Sequence, residues 1–593
     1  MPQAFSRTAP DAEQLGEQVR ELERRVALLE SQQAQAVAAA PALTGPAVLP
    51  QASTPAIPNL ALQRPRAPAT GQGSSPVETP ARAMSVIGKA VLGIAGAYLL
   101  RAIAESGAVP KLPLLIVAIG YAALWLVWAV RTHAANHFAS VTYGITAALI
   151  LSPLLWESTV RFQVLAPSFT AGILVAFVVL ALALSWRHSL EVIPWIATLA
   201  SVITAWALIL GTHDLATLTC GLLAIAIATE AAACMGDRIS LRAVPAIAAD
   251  MAVLLLVELM TSPEGAPFDY PPVAPVTIIA LSLALLAIYG GSIGIRSFGL
   301  RQRLTIFEII QTAAAFALAA FGTLRASHGA AAPSLGVLFL ALAAVCYWGT
   351  LSRFAEETQV RNRRVSANWA AALLLAGSFL LFSAHRLSMS LQVLFLCAAA
   401  VAAVCLYART RKLSLGMHAS FYLAAATVVS PLPIYVGNAL AGTVPPAPDW
   451  VVWIVAGSSL LSYAVGSHVT EDHRRRRLLW VVPAGLAGFT AAALTLGAVA
   501  WLAESRVELS PSRLSVIRTL IICGLALALG SLGSHWKRIE LGWIAYAAVG
   551  FGTLKLLFED LRYGNPASLV LSLLFYGSVL ILLPRWMRRG VGE

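Results

Sequence analysis

The sequence predicts an all-α, polytopic integral membrane protein of about eighteen transmembrane helices in nine helical hairpins, preceded by a short coiled coil. Three observations carry this fold class. Of the 593 residues, 58% are hydrophobic and 12% charged, with a mean hydropathy of +0.76, whereas soluble domains carry about one quarter charged residues. Apolar stretches of helix-spanning length fill residues 85–584. Between them, basic residues favour every second loop.

The front of the chain is different. In 11–36, Ala12, Leu15, Val19, Leu22, Val26 and Leu29 alternate three and four residues apart, the seam of a coiled coil. Asp11 with Gln14 fits a capping box, and Pro10 stops the helix extending backward. The segment reads either as a homo-oligomerisation handle or as a lone amphipathic helix. Residues 37–84 form an Ala/Pro-rich tract with nine prolines and few large apolar side chains, which predicts a disordered linker.

Spans are expected near 85–104, 112–130, 137–156, 167–185, 189–210, 215–235, 241–260, 273–293, 304–324, 333–352, 367–385, 388–408, 414–437, 450–468, 479–502, 513–533, 541–558 and 567–584. Each approaches the ~20 residues a helix needs to cross a ~30 Å hydrocarbon core. Loops after even-numbered spans, with the basic tail 585–593, hold 23 Lys and Arg; the opposite loops hold 7. By the positive-inside rule both termini are cytoplasmic. A single missed span would scramble this alternation. The net charge of +12 lies in short membrane-flanking loops, so it predicts contact with anionic lipid headgroups and argues against nucleic acid. Arg474, Arg475, Arg476 and Arg477 are the densest such run. Tryptophans at span ends (Trp125, Trp128, Trp156, Trp186, Trp450, Trp453, Trp480, Trp586) read as an interfacial belt.

Basic clusters recur every 50 to 65 residues, which suggests hairpins in series. The first and last hairpins also look alike: Gly93 to Arg101 leads to Glu105, and Gly550 to Phe558 leads to Glu559 and Asp560. The heptads, the Ala/Pro tract, Ile87-Gly88, the Gly93/Gly96 run, Leu99-Leu100-Arg101 and the ending Leu554 to Leu561 resemble the bacterial membrane proteins grouped as "domain of unknown function 2339". That resemblance implies a bacterial cytoplasmic membrane location. It supplies no activity and no catalytic residues.

Ionisable residues at membrane depth are the first functional candidates. Asp250 sits mid-span; Glu230 and Lys89 lie a turn or so inside their helices; Glu308 and Gln311 share one helix face. Together they suggest a proton- or cation-coupled site. The alternative is that Asp250 meets a hydroxyl or stays protonated while the others snorkel. At the outer ends, Arg101, Glu105, Lys555, Glu559 and Asp560 suggest either a ring of ion pairs around a mouth or ordinary solvated helix ends.

No Walker A, HExxH or GxSxG occurs, and loops of at most roughly fourteen residues leave no room for a catalytic domain. The six cysteines form no CxxC and have no His at metal-ligand spacing. A metal and a cofactor are therefore not expected, and catalysis is disfavoured. Two functions lead, a transporter or lipid-handling protein of the bacterial envelope and a scaffold that self-associates through 11–36; an intramembrane enzyme is third.

Overall fold

The computed structural model describes residues 78–589, apart from loop segments at 107–109, 133–135, 189–190, 236–239, 354–359, 384–385, 442–446, 471–472, 505–510 and 561–565. The expected coiled coil (11–36) and most of the linker lie outside the described residues, as do the side chains of Arg474 to Arg477. The described residues form helices and no strands. Hydrocarbon requires this, because only a helix satisfies its own backbone N–H and C=O groups without an edge, closed barrels aside.

In chain order the helices are α1 (Glu78–Ser106), α2 (Lys111–Thr132), α3 (His137–Trp156), α4 (Pro167–His188), α5 (Val192–Thr212), α6 (Leu215–Cys234), α7 (Ala243–Met260), α8 (Pro275–Gly294), α9 (Ile306–Ala326) and α10 (Ala332–Trp348). They continue as α11 (Val360–Phe382), α12 (Arg386–Thr410), α13 (Leu413–Val429), α14 (Leu432–Ala441), α15 (Trp450–Val469), α16 (His473–Glu504), α17 (Pro511–His535), α18 (Ile539–Lys555) and α19 (Pro566–Arg589). Wider π-helical turns extend α3, α8, α10 and α18. The first helix starts at Glu78 rather than 85, with Pro80 in its first turn, where a missing N–H costs nothing.

Seventeen helices are long and apolar enough to cross a membrane. The continuous span expected at 414–437 is not continuous: α13 and α14 meet with a bend of 72°, the geometry of a broken span or a re-entrant loop. Pro431 forces the residue before it out of the helical region, and Ser430 is extended (φ −80°, ψ 163°). The Ser430 hydroxyl then accepts the Leu432 N–H at 3.3 Å, starting the short helix.

Contacts between helix ends support the alternation. Asn362, after the tenth span, bonds Gln302 and Leu304, after the eighth. Lys412, after the twelfth, donates to Thr350 at the end of the tenth. On the other side, Arg101 pairs with Glu157, Arg325 with Glu258, and Arg518 with the carbonyls of Asn438 and Ala439. Even loops meet even loops and odd meet odd, as crossing helices demand. The side with the even loops is called the basic side below.

The helical pairing differs in phase from the expected hairpins. Consecutive helices pack most closely when a basic-side loop joins them: α2 with α3, α8 with α9, α10 with α11, α12 with α13, and α17 with α18. The period is as expected, but each tight hairpin begins one helix later. Small residues explain the closest of these contacts, since backbones in lipid approach where side chains are absent. A Cβ at Gly336 of α10 would stand 2.6 Å from Leu381 N and 2.8 Å from Gly377 O of α11. One buried core runs through α1–α9, from Val86 to Ala326. Separate cores serve α11–α19. A small bridging cluster, including Leu286, Ala319, Leu335 and Phe339, joins the two regions.

Most belt tryptophans are at least partly exposed, but Trp125 and Trp480 are buried and pack against helices. Trp480 lies flush against Gly466 and donates to Thr470 Oγ1 at 2.9 Å. It fills a gap between helices rather than marking an interface.

Candidate functional site

Four helices bring the intramembrane candidates together. Glu230 lies near the basic-side end of α6, and one 3₁₀ turn (Ser240–Arg242) carries the chain into α7. That turn returns Arg242 over Glu230, with Nη1 3.4 Å from Oε2. The same Nη1 lies 3.0 Å from Glu308 Oε1 on α9. Glu308 occupies the third position of α9 in a capping box: Thr305 N–H donates to its Oε2 at 2.7 Å, and its own N–H reaches Thr305 Oγ1 at 3.4 Å. This is the helix end where a carboxylate is favoured. Arg296, in the π-turn after α8, pairs with Glu308 Oε1 at 2.7 Å and donates to Gln302 at 3.0 Å. Ser292 of α8 donates to Glu230 Oε2 at 2.6 Å, and the Arg242 guanidinium lies 5.5 Å from the Phe307 ring centre.

Two arginines and two glutamates therefore form a charge-balanced, buried network. Glu230 and Glu308 are 6% and 5% exposed. They do not snorkel to the interface; cations from neighbouring loops come to them. One turn deeper, Gln311 donates to Asp250 Oδ2 at 2.8 Å. Asp250 Oδ1 and the Tyr289 hydroxyl are buried with no hydrogen-bond partner. Tyr289 sits one turn before Ser292 on α8, within electrostatic reach of Glu230, Asp250 and Arg242. The partner of Asp250 is thus an amide rather than a hydroxyl.

Lys89 does not join this centre. It is exposed on α1, beside a separate groove of about 490 Å³ lined by Tyr121, Trp125, Trp128 and Tyr143.

The outer charges form two clusters, and no ion pair joins them among the described residues. Arg101 contacts Glu157 at 2.9 Å and Glu105 at 3.4 Å, and Arg161 contacts Glu105 at 3.6 Å. These are half-exposed pairs of the kind worth about 0–1 kcal/mol. The second cluster centres on two buried side chains, Lys555 and Asp560. Lys555 Nζ lies 2.5 Å from Asp560 Oδ1, 2.6 Å from Ser515 O and 2.7 Å from Thr519 Oγ1. Ser515 and Thr519 hydroxyls donate to Asp560 in turn. A π-turn makes this possible, because its wider winding places residues five apart on one face. Beside it, Arg518 pairs with Glu559 at 2.6 Å and donates to Ala439 O at 2.8 Å, at the carbonyl end of α14.

Sequence reasoning weighed Arg242 and Arg296 only as topology markers and missed Ser292 and Tyr289. The signal in the sequence is short separation: Arg242 follows Glu230 by 12 residues, and Arg296 precedes Glu308 by 12. It also missed a buried hydroxyl–imidazole group, in which Tyr347 bonds His418 Nδ1 at 2.8 Å and the Tyr422 hydroxyl. No group of three or more His, Cys, Asp or Glu able to hold a metal occurs among the described residues.

Comparison with protein-family models, curated proteins and solved structures found no match.

Proposed function

We propose that this integral membrane protein moves or handles a small solute or lipid in the bacterial cytoplasmic membrane, with both termini cytoplasmic and the α6–α9 polar cluster as its working centre. One observation carries the reading. Glu230, Asp250, Glu308 and Gln311 converge from three helices, and of the three carboxylates Asp250 alone has no ion pair among the described residues. Glu230 and Glu308 are held in ion pairs by Arg242 and Arg296. Asp250 is held by an amide, which bonds either form of a carboxyl group. A carboxyl at mid-membrane depth with a free oxygen is the arrangement proton-coupled sites use.

The test is mass spectrometry of lipids and small molecules that co-purify with wild type and with Asp250→Asn. Asparagine keeps the size of the side chain and can still bond Gln311. The expected result is loss of a specific bound species with unchanged thermal stability. An identical complement in both proteins overturns the reading.

A further inference from the structure

We propose that the seam between the α8/α9 and α10/α11 hairpins is a binding site for one anionic phospholipid of the basic-side leaflet, its acyl chain in the groove and its headgroup among Arg303, Arg361, Arg363 and Arg364. This inference does not depend on the polar centre being the working site.

The seam is where the core of the first nine spans ends. Each hairpin is tight within itself, but α9 and α10 barely meet. Toward the opposite side the gap is closed by Ala319, Leu335 and their neighbours. Near mid-membrane it is closed by Phe316, whose ring centre lies 5.4 Å from Phe339 and 5.1 Å from Trp369. Toward the basic side it stays open, leaving an apolar groove of about 500 Å³. Ligand clefts are typically about 300–1,000 Å³. Its lining extends from Leu283 to Phe298 on one side, the depth of a single leaflet rather than of a bilayer.

One wall is the face of α8 carrying Ala287, Gly290, Gly291 and Gly294. Glycines on a membrane helix ordinarily admit another helix, as Gly336 and Gly377 do here. At Gly291 and Gly294, however, an added Cβ would meet nothing within 4 Å. Among the described residues, no segment uses the space these glycines leave. In a bilayer a vacant apolar groove fills with hydrocarbon, because neither water nor a void is stable against such walls.

The mouth supplies the choice of headgroup. Asn362 lines the groove and clamps its two lips together, accepting the Leu304 N–H at 3.1 Å and donating to Gln302 O at 2.7 Å. Arg303 precedes groove-lining Leu304; Arg361, Arg363 and Arg364 flank groove-lining Asn362 and Val365. Arg303, Arg361 and Arg364 are exposed, and Arg363 is half-buried. Lys412 lies within electrostatic reach of Arg363: burial first, and then the Arg363 charge, lowers its pKa. Basic pockets between helix ends on one leaflet are suited to phosphate-bearing headgroups.

The full chain in nanodiscs of phosphatidylcholine with trace phosphatidylglycerol, read by native mass spectrometry, tests the site. Wild type should retain phosphatidylglycerol preferentially. Gly294→Leu adds a side chain whose Cβ meets nothing within 4 Å and should reduce that retention at least tenfold, whereas Gly294→Ala should reduce it less. Replacing Arg303, Arg361 and Arg364 by Gln should lower the preference for phosphatidylglycerol over phosphatidylcholine by on the order of a hundredfold. Retention unchanged in Gly294→Leu, or preference unchanged in the arginine variant, overturns the proposal. Wild type gives an independent readout through phosphatidylglycerol with a photoactivatable acyl chain. Labelling concentrated in 338–346 and 365–373 supports the site; labelling spread evenly over all lipid-facing helices overturns it.

Discussion

Replacing Arg242 by Met removes the cation that joins α6, α7 and α9 while keeping most of the side chain's apolar length. Glu230 would then keep only the Ser292 hydroxyl at 2.6 Å, whereas Glu308 would keep Arg296 at 2.7 Å and its capping bonds. Removing one partner of a buried pair costs about 3–5 kcal/mol, because the remaining charge is left without compensation. Here one of the two glutamates stays paired, so the lower end, about 3 kcal/mol, is expected. Reversible unfolding in mixed detergent micelles, followed by far-ultraviolet circular dichroism, reads it. Glu230→Gln in the same background removes the orphaned charge and should recover about 1–2 kcal/mol, the coupling expected of contacting residues. If Arg242→Met costs under about 1 kcal/mol, as an exposed pair would, or if Glu230→Gln restores nothing, the network is not what holds these helices together.

Two further predictions use the same unfolding assay. Gly336→Val forces a branched side chain into backbone 2.6 Å away on α11 and should destabilise by about 1–3 kcal/mol, whereas Gly88→Val, with nothing within 4 Å, should change far less. Lys555→Met should cost about 3–5 kcal/mol by leaving Asp560 buried among hydroxyls; adding Asp560→Leu should regain part of that loss, and a double variant no better than Lys555→Met contradicts the ion-pair account.

The legible part of this protein was local. Hydropathy located seventeen unbroken spans, most ends to within a few residues and the start of the 367–385 span to within seven. Glu308 and Gln311 were readable as one face because helical spacing alone puts them there. The bend between α13 and α14 has no hydropathy signature, because Ser430-Pro431 interrupts the backbone without lowering the hydropathy of its neighbours. Lys555 and Asp560 were read with the outer-end charges because five residues apart on an ordinary helix is a different face; only the π-turn makes them partners.

The sequence by itself determined that the chain is a helical membrane protein and where its seventeen unbroken apolar helices lie. Those properties follow from each segment's own free energy in hydrocarbon, where an isolated backbone has one way to satisfy itself. The tertiary structure decided which helices form tight pairs, which arginine meets which glutamate, and where a groove is left between hairpins. Lipid is as apolar as leucine, so burial does not dictate how a helix is rotated about its axis. That rotation is set by small-residue contacts and by polar pairs such as Arg242 with Glu308, 66 positions apart in the chain, and no pattern within a single span encodes them.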